Sequence, residues 1–240
     1  MNIIAITRMG PSKVENEDRI VIGKNLLAEG NVQATFSSGI VAVADGVGGN
    51  NAGAVASHFV AQNLTNMDEV SQEAFAKINS DLLLLSATRA DYLNMATTLS
   101  GISVSGSKTV LFSVGNTRVY LLQGGKYLKQ LTSDDTTLNY LLATGQLAAE
   151  DAESFSRKNE ITACFGGGAA HLFKIKCNSI DSLTSPFMMT SDGIHDYVSI
   201  DQMEDIIAEC GLSFNACEAL VAAARAGGSH DDISVILGEL

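Results

Sequence analysis

The side chains in this 240-residue sequence whose type and spacing could support chemistry are carboxylates. Asp45 and Asp192 each follow an apolar run and are each followed by glycine, in Ile40-Val41-Ala42-Val43-Ala44-Asp45-Gly46 and Phe187-Met188-Met189-Thr190-Ser191-Asp192-Gly193. Glu17-Asp18 precedes a third apolar run, Asp231-Asp232 precedes a fourth, and Asp196 lies four residues beyond Asp192. Asp-Gly after an apolar run is, taken alone, more often a hairpin turn than a site. The conjunction changes the reading. If these four ends meet, their carboxylates repel one another, and hard divalent cations, which take oxygen ligands held on a rigid frame, are the natural compensation. An acid-rich, histidine-poor set suits Mg²⁺ or Mn²⁺ better than Zn²⁺.

Other catalytic schemes fit less well. Gly46-Val47-Gly48-Gly49-Asn50-Asn51 has asparagine in the third glycine's place of a dinucleotide loop, no Walker lysine follows, and there is no Gly-x-Ser-x-Gly elbow. The four histidines lack metal-ligand spacing. His58 reads as a surface or hydrogen-bonded helix residue, and His195 and His230, each beside a candidate ligand, read as residues that pack against or support that ligand. Cys164, Cys177, Cys210 and Cys217 form no Cys-x-x-Cys pair and read as buried filler.

The elements that must position the acids follow from hydrophobic pattern. With 46% apolar residues, two prolines and no linker-like run, the chain is expected to form one domain over residues 1–240. Strands are predicted at 2–6, 20–23 and 40–44, the last apolar enough to be covered on both faces. Helices capped by Asn50 or Asn51 and spanning 70–85 follow, and are expected to pair. Short glycine turns at Gly106, Gly115 and Gly124-Gly125 then separate strands at 99–104, 109–114, 118–122 and 127–131, which reads as an antiparallel meander. Short helices at 134–143 and 148–155 interrupt the sheet. Strands at 171–175 and 187–190, helices at 201–210 and 215–226 and a last strand at 233–237 complete an α+β order. A net charge of −12 argues against nucleic-acid or anionic-membrane surfaces. The absence of a membrane-length apolar stretch or a leader pattern at 1–10 points to a cytoplasmic protein.

Six motifs in order carry a resemblance: Lys13-Val14-Glu15-Asn16-Glu17-Asp18, Val43-Ala44-Asp45-Gly46-Val47-Gly48-Gly49, Ala96-Thr97-Thr98-Leu99, Val114-Gly115-Asn116-Thr117-Arg118-Val119-Tyr120, Ser191-Asp192-Gly193 and His230-Asp231-Asp232-Ile233-Ser234-Val235. From about Ile6 onward the chain resembles the metal-dependent protein phosphatases (PPM, type 2C serine/threonine), in their compact bacterial form. The resemblance implies a four-layer α-β-β-α sandwich of two antiparallel sheets between helix pairs, with a flap at about 135–163. It implies two Mn²⁺ or Mg²⁺ ions. Asp45 would bridge them, the Gly46 carbonyl would bind one, Asp192 and Asp231 would hold the other, and Glu17 and Asp18 would act around them through water. The nucleophile would be a water shared by the two ions, with no Ser or Cys intermediate.

Three positions depart from that pattern. Lys13 stands where the family has an arginine that grips the substrate phosphate. Asn116 replaces an acid that helps bind a third metal, so that position is expected to be weak although Asp196 is kept. Asp232 replaces asparagine and adds a charge. The function implied is hydrolysis of phosphoserine and phosphothreonine on proteins, a signalling role with phosphoproteins, a cognate kinase and its substrates as partners, and neither nucleic acid nor membrane. Two rivals remain. One is a pseudophosphatase that binds phosphoproteins without turnover, which the changes at Lys13 and Asn116 favour and the retained Asp45, Asp192 and Asp231 oppose; the other is a hydrolase of small phosphate esters.

Overall fold

The computed structural model describes residues 1–47, 52–67, 69–181 and 185–239. In chain order the elements are β1 (Asn2–Arg8), β2 (Asp18–Ile22), β3 (Asn25–Leu27), β4 (Gly30–Thr35), β5 (Gly39–Val47), α1 (Ala52–Thr65), α2 (Gln72–Ser86), β6 (Ala96–Thr97), β7 (Leu99–Ser105), β8 (Lys108–Val114), β9 (Arg118–Gln123) and β10 (Tyr127–Gln130). They continue with α3 (Thr137–Ala143), β11 (Lys176–Asp181), β12 (Phe187–Thr190), α4 (Asp192–His195), α5 (Ile200–Cys210), α6 (Phe214–Ala226) and β13 (Ile233–Glu239).

Strand alternation sorts these elements into layers. In β2 and β5, Ile20, Val41 and Val43 point one way and meet Ile3, Val119, Met189 and Ile236 of the opposite sheet. Their neighbours Val21, Ala42 and Ala44 point the other way and pack on Ala56, Val60, Leu64, Phe75 and Leu82 of α1 and α2. On the far side, Ile6, Tyr120, Val235 and Leu237 pack on Met203, Ile207 and Leu220 of α5 and α6. The result is the expected four layers: a helix pair, the sheet β11-β8-β7-β5-β2-β3 with β6 beside β5, the sheet β10-β9-β12-β13-β1-β4, and a second helix pair, every strand pairing antiparallel. Full burial of one such side chain is worth about 1.5–3 kcal/mol, so the central strands are the rigid part of the frame. Side-chain caps fix the helix starts: Ser71 on α2, Ser213 on α6, and a Ser199–Gln202 capping box on α5. The α1 cap expected at Asn50 or Asn51 lies outside the described residues. Among the described residues, no helix is long and apolar enough to cross a membrane.

Three expectations are corrected. The meander is two hairpins in different sheets: β8 pairs with β7 and β11, whereas β9 pairs with β10 and β12, and the chain crosses between sheets at residues 115–117. Gly115 makes that crossing possible, with φ +95° and no room for a Cβ, which would lie 2.6 Å from Thr98 Cβ. The helix expected at 148–155 is only a 3₁₀ turn, Ala149–Asp151, with no buried residue to hold a longer one. The strand expected at 171–175 lies later, at Lys176–Asp181. The apolar Phe173 and Ile175 instead pack, from a loop, against the α1–α2 core, and the true strand is a polar sheet edge.

Candidate active site

Sheet register brings the acids together. Antiparallel pairing of β2 with β5 sets Asp18 opposite Asp45. On the facing sheet β12 and β13 pair through Thr190–Val235, and the pairing extends past Thr190: Ser191 N–H donates to the Ser234 carbonyl at 3.1 Å and Ser234 N–H to Ser191 Oγ at 2.9 Å. Asp192 and Asp231-Asp232 therefore share one end of that sheet, and the gap between the two sheets opens onto both pairs of acids.

Asp18 lies deepest. Ser191 Oγ donates to its Oδ2 at 2.7 Å, while its other oxygen is buried without a partner. Behind Ser191, Ser234 Oγ and Asn16 Nδ2 both donate to Thr7 Oγ1, at 2.8 and 2.9 Å, so hydroxyls from β1 and β13 line the bed of the site. Burial pushes the Asp18 carboxyl up to about 8; the Ser234 and Ser191 hydroxyls oppose the shift and the Asp232 and Asp192 charges add to it. Burial, then the charges of Asp192, Asp18 and Asp231, hold Asp45 well above the ordinary carboxylate range. Burial and Asp231 also raise Asp192, against hydrogen bonds from Asn116 and Asp45 and the Lys13 charge.

Glycine lets β5 and the start of α1 touch beside these acids. A Cβ at Gly46 would lie 2.3 Å from the Gly53 carbonyl oxygen and 2.8 Å from that of Glu17; one at Gly53 would lie 2.6 Å from Glu17 Oε1. Gly46 N–H donates to the Glu17 carbonyl at 3.1 Å. Glu17 Oε1 is a second buried oxygen without a partner. Two orphaned acceptors and several carboxyls pushed toward protonation mark a surplus of negative charge, and that donor set fits hard cations. Among the described residues, no three acidic, histidine or cysteine side chains close into a metal cage as they stand. A cation of the protein's own occupies part of the space, as Lys13 Nζ lies 2.8 Å from Asp231 Oδ1 and 2.9 Å from Glu17 Oε2.

Residues 28–224 match the family model described as protein phosphatase 2C. The chain belongs to the protein phosphatase 2C family. It is 31% identical over 219 residues to the serine/threonine phosphatase stp of Listeria monocytogenes, covering 83% of this chain and 84% of that protein. The crystal structure of the Mycobacterium tuberculosis serine/threonine phosphatase PstP/Ppp superposes with a TM-score of 0.82 at 24% identity, over 100% of this chain and 99% of that one. The catalytic domain of PstP in complex with two manganese ions has the same fold, with a TM-score of 0.75 at 24% identity over 99% and 98% of the two chains. The chain is thus a PPM-type serine/threonine protein phosphatase.

Two features of this phosphatase are held in place by hydrogen bonds between residues distant in sequence. Asp232, 3% exposed, is a clamp: Gly10 N–H donates to Oδ1 at 2.8 Å and Glu17 N–H to Oδ2 at 2.7 Å, which fastens the loop carrying Lys13 and Glu17 to β13. Burial works against the Lys13 charge, but hydrogen bonds to Asp231 and Glu17 outweigh it and hold the ammonium well above its ordinary value. The second feature is the excursion at 135–163, tied down at both ends. Thr162 N–H donates to the Asp135 carbonyl and Thr137 N–H to that of Glu160, both at 2.8 Å, while Arg118 forks onto Asp134.

Asp196 stands apart from the central acids, one residue past α4. Asn159 of the excursion donates to its Oδ2, and burial and the Asp192 charge push its carboxyl up to about 6. Asn116 Nδ2 donates to Asp192 Oδ2 at 3.0 Å, leaving Oδ1 buried without a partner. Between them is a polar cavity of about 230 Å³ lined by Asn116, Arg118, Asn159, His195 and Asp196. Burial holds the His195 imidazole well below its ordinary value, and its Nδ1 lies 2.7 Å from Thr190 Oγ1, in keeping with a packing role; His58 and His230 are exposed.

Proposed function

We propose that this phosphatase hydrolyses phosphoserine and phosphothreonine on proteins with two Mn²⁺ or Mg²⁺ ions. Asp45 and the Gly46 carbonyl would hold one ion, and Asp45, Asp192 and Asp231 the other, with Glu17 and Asp18 oriented around them. The observation that carries this reading is the surplus of acid at the mouth of the two sheets: unpartnered oxygens on Asp18 and Glu17 beside carboxyls raised first by burial and then by their neighbours' charges. The bound ions would supply the activated water and the charge that neutralises the phosphoryl oxygens. The protein's own part is positioning. Ser191 fixes the Asp18 carboxylate, Asp232 fixes the backbone of Glu17, and Lys13 offers a point charge to the substrate phosphate.

A relative of the same fold holds two manganese ions, which supports the count. The third position is read as weak, because Asn116 brings a neutral amide already engaged with Asp192. The chain is read as one domain of 1–240 whose segment 135–163 forms a flap beside the site, acting in the cytoplasm on substrates of a cognate kinase. The test is phosphate release from a phosphothreonine peptide by the chelator-stripped protein with and without Mn²⁺, alongside Asp45→Asn. Turnover that needs Mn²⁺ and vanishes in Asp45→Asn supports the proposal; turnover persisting in excess chelator overturns it. Peptide binding without release at any metal concentration would mark the pseudophosphatase, the reading that the pinning of Lys13 among carboxylates favours.

A further inference from the structure

We infer that the Lys13 ammonium is a resident counter-ion that competes with a divalent cation for Asp231 and Glu17, so that metal loading frees it for the incoming phosphate. This rests on the reading of Asp231 as a metal ligand. Nζ lies 2.8 Å from Asp231 Oδ1, 2.9 Å from Glu17 Oε2 and 3.5 Å from Asp232 Oδ2. Oxygens of three different carboxylates thus converge on one ammonium. An ammonium, with three rotatable donors on a compact charge, can converge on such a set, whereas the planar fork of a guanidinium is built for two parallel oxygens of one group. The lysine that replaces the family's arginine thus suits a second role.

The geometry also lets the charge leave. The Lys13 backbone is fixed, its N–H donating to the Gly10 carbonyl at 3.0 Å and its Cγ crowded against Gly10, where an added Cβ would lie 3.0 Å away. The side chain as a whole is 29% exposed, so Nζ can swing outward while the loop stays in place. One positive charge against three negative ones leaves the cluster short of compensation. A divalent ion on Asp231 repairs the deficit and repels the ammonium at contact distance, where Coulomb terms are largest. Metal and Lys13 then oppose each other at the carboxylates and cooperate at the phosphate. By linkage, phosphate binding must favour the metal-loaded form to the same degree.

The experiment is calorimetric titration of Mn²⁺ into the chelator-stripped full chain and its Lys13→Gln and Lys13→Met variants, each first shown to fold by thermal melting. The expected result is Mn²⁺ binding roughly fivefold tighter in both variants, the equivalent of removing a partly exposed pairing of about 1 kcal/mol. A second readout is acetylation of Lys13 by an amine-reactive reagent, followed by mass spectrometry, which should quicken when Mn²⁺ is added. Unchanged or weaker Mn²⁺ binding in both variants, or slower labelling with Mn²⁺, overturns the competition. Asp231→Asn separates this from the underlying reading. If it binds Mn²⁺ as tightly as the parent, the metal assignment itself falls; if it weakens binding while the Lys13 variants change nothing, only the competition falls.

Discussion

Replacing Asp232 by asparagine, the residue that the resemblance implies for this position, should destabilise this protein. The carboxylate accepts Gly10 N–H on one oxygen and Glu17 N–H on the other, at 2.8 and 2.7 Å, in a site 3% exposed. An amide offers one acceptor, so its NH₂ would face whichever backbone N–H is left. A hydrogen bond to a charged group is worth about 1.5–3 kcal/mol and a stranded buried donor costs about 1–3; the two describe the same loss, so about 2 kcal/mol is the working figure. Two effects oppose or add to it. Removing the charge relieves repulsion of Asp18, but among the causes of the raised Asp18 value Asp232 ranks behind burial and the two serine hydroxyls, so the relief is the smaller effect. Lys13, 3.5 Å away and partly exposed, loses little.

The expected result in chelator near neutral pH is a loss of about 2 kcal/mol, or a Tm lower by about 4–8 °C for a chain of this size. Urea unfolding should show the same loss with an unchanged slope. The deficit should shrink as pH rises through about 8, where Asp18 ionises and the relief begins to count. An equal or higher Tm at neutral pH would refute the argument, because charge removal would then outweigh the lost backbone hydrogen bond.

Stability of the metal-free protein should fall as pH rises from about 6.5 to 8, above the ordinary histidine value, where the buried neutral His195 no longer opposes the trend. The folded chain keeps protons on Asp18 up to about 8 and on Asp196 up to about 6, against an ordinary 3.8, so this stabilisation is complete below the unfolded value and lost through the folded ones. Mn²⁺ should reverse the loss, and a Tm series in chelator that rises over that range would contradict the assignment. Gly53→Ala places a Cβ 2.6 Å from Glu17 Oε1 and 2.8 Å from the Gly46 carbonyl oxygen, and should cost about 1–3 kcal/mol while weakening Mn²⁺ binding. Parental melting and calorimetry together would show that α1 can yield there. Asn116→Asp loses the amide that donates to Asp192 at 3.0 Å and sets a carboxylate in its place, so the metal-free protein should melt lower while titration with Mn²⁺ reveals an additional, weaker site. Parental stoichiometry would mean that Asn116 does not govern that position.

What could be read in the sequence, and what could not, follows from which faces are covered. The inner strands β5, β12 and β13 carry consecutive apolar residues because helices cover one face and the second sheet the other, and each was legible. Of the strands that were missed or displaced, β3, β4 and β11 are sheet edges, where side chains meet water and no long apolar run survives, and β6 is a buried strand of only two residues. The edge strand β10 was legible only through the Gly124-Gly125 turn that ties it to β9.

The site divides in the same way. Asp45, Asp192 and Asp231 stand at the ends of inner strands, so the pattern that reveals the strand also reveals the acid. Their partners have no such marker. Ser191 reaches Asp18 across 173 residues of sequence, and Thr7, Asn16 and Ser234 are ordinary polar residues until the sheets bring them together. Asp232 shows the limit most clearly. Counted as a charge, it makes an acidic cluster worse; placed against two backbone N–H groups, it becomes the clamp that holds Glu17 at the cluster's edge. Every residue except proline carries such an N–H, so composition says nothing about which ones are aimed at a carboxylate. The sign of a charged residue's contribution is therefore set by donors that only the folded backbone reveals.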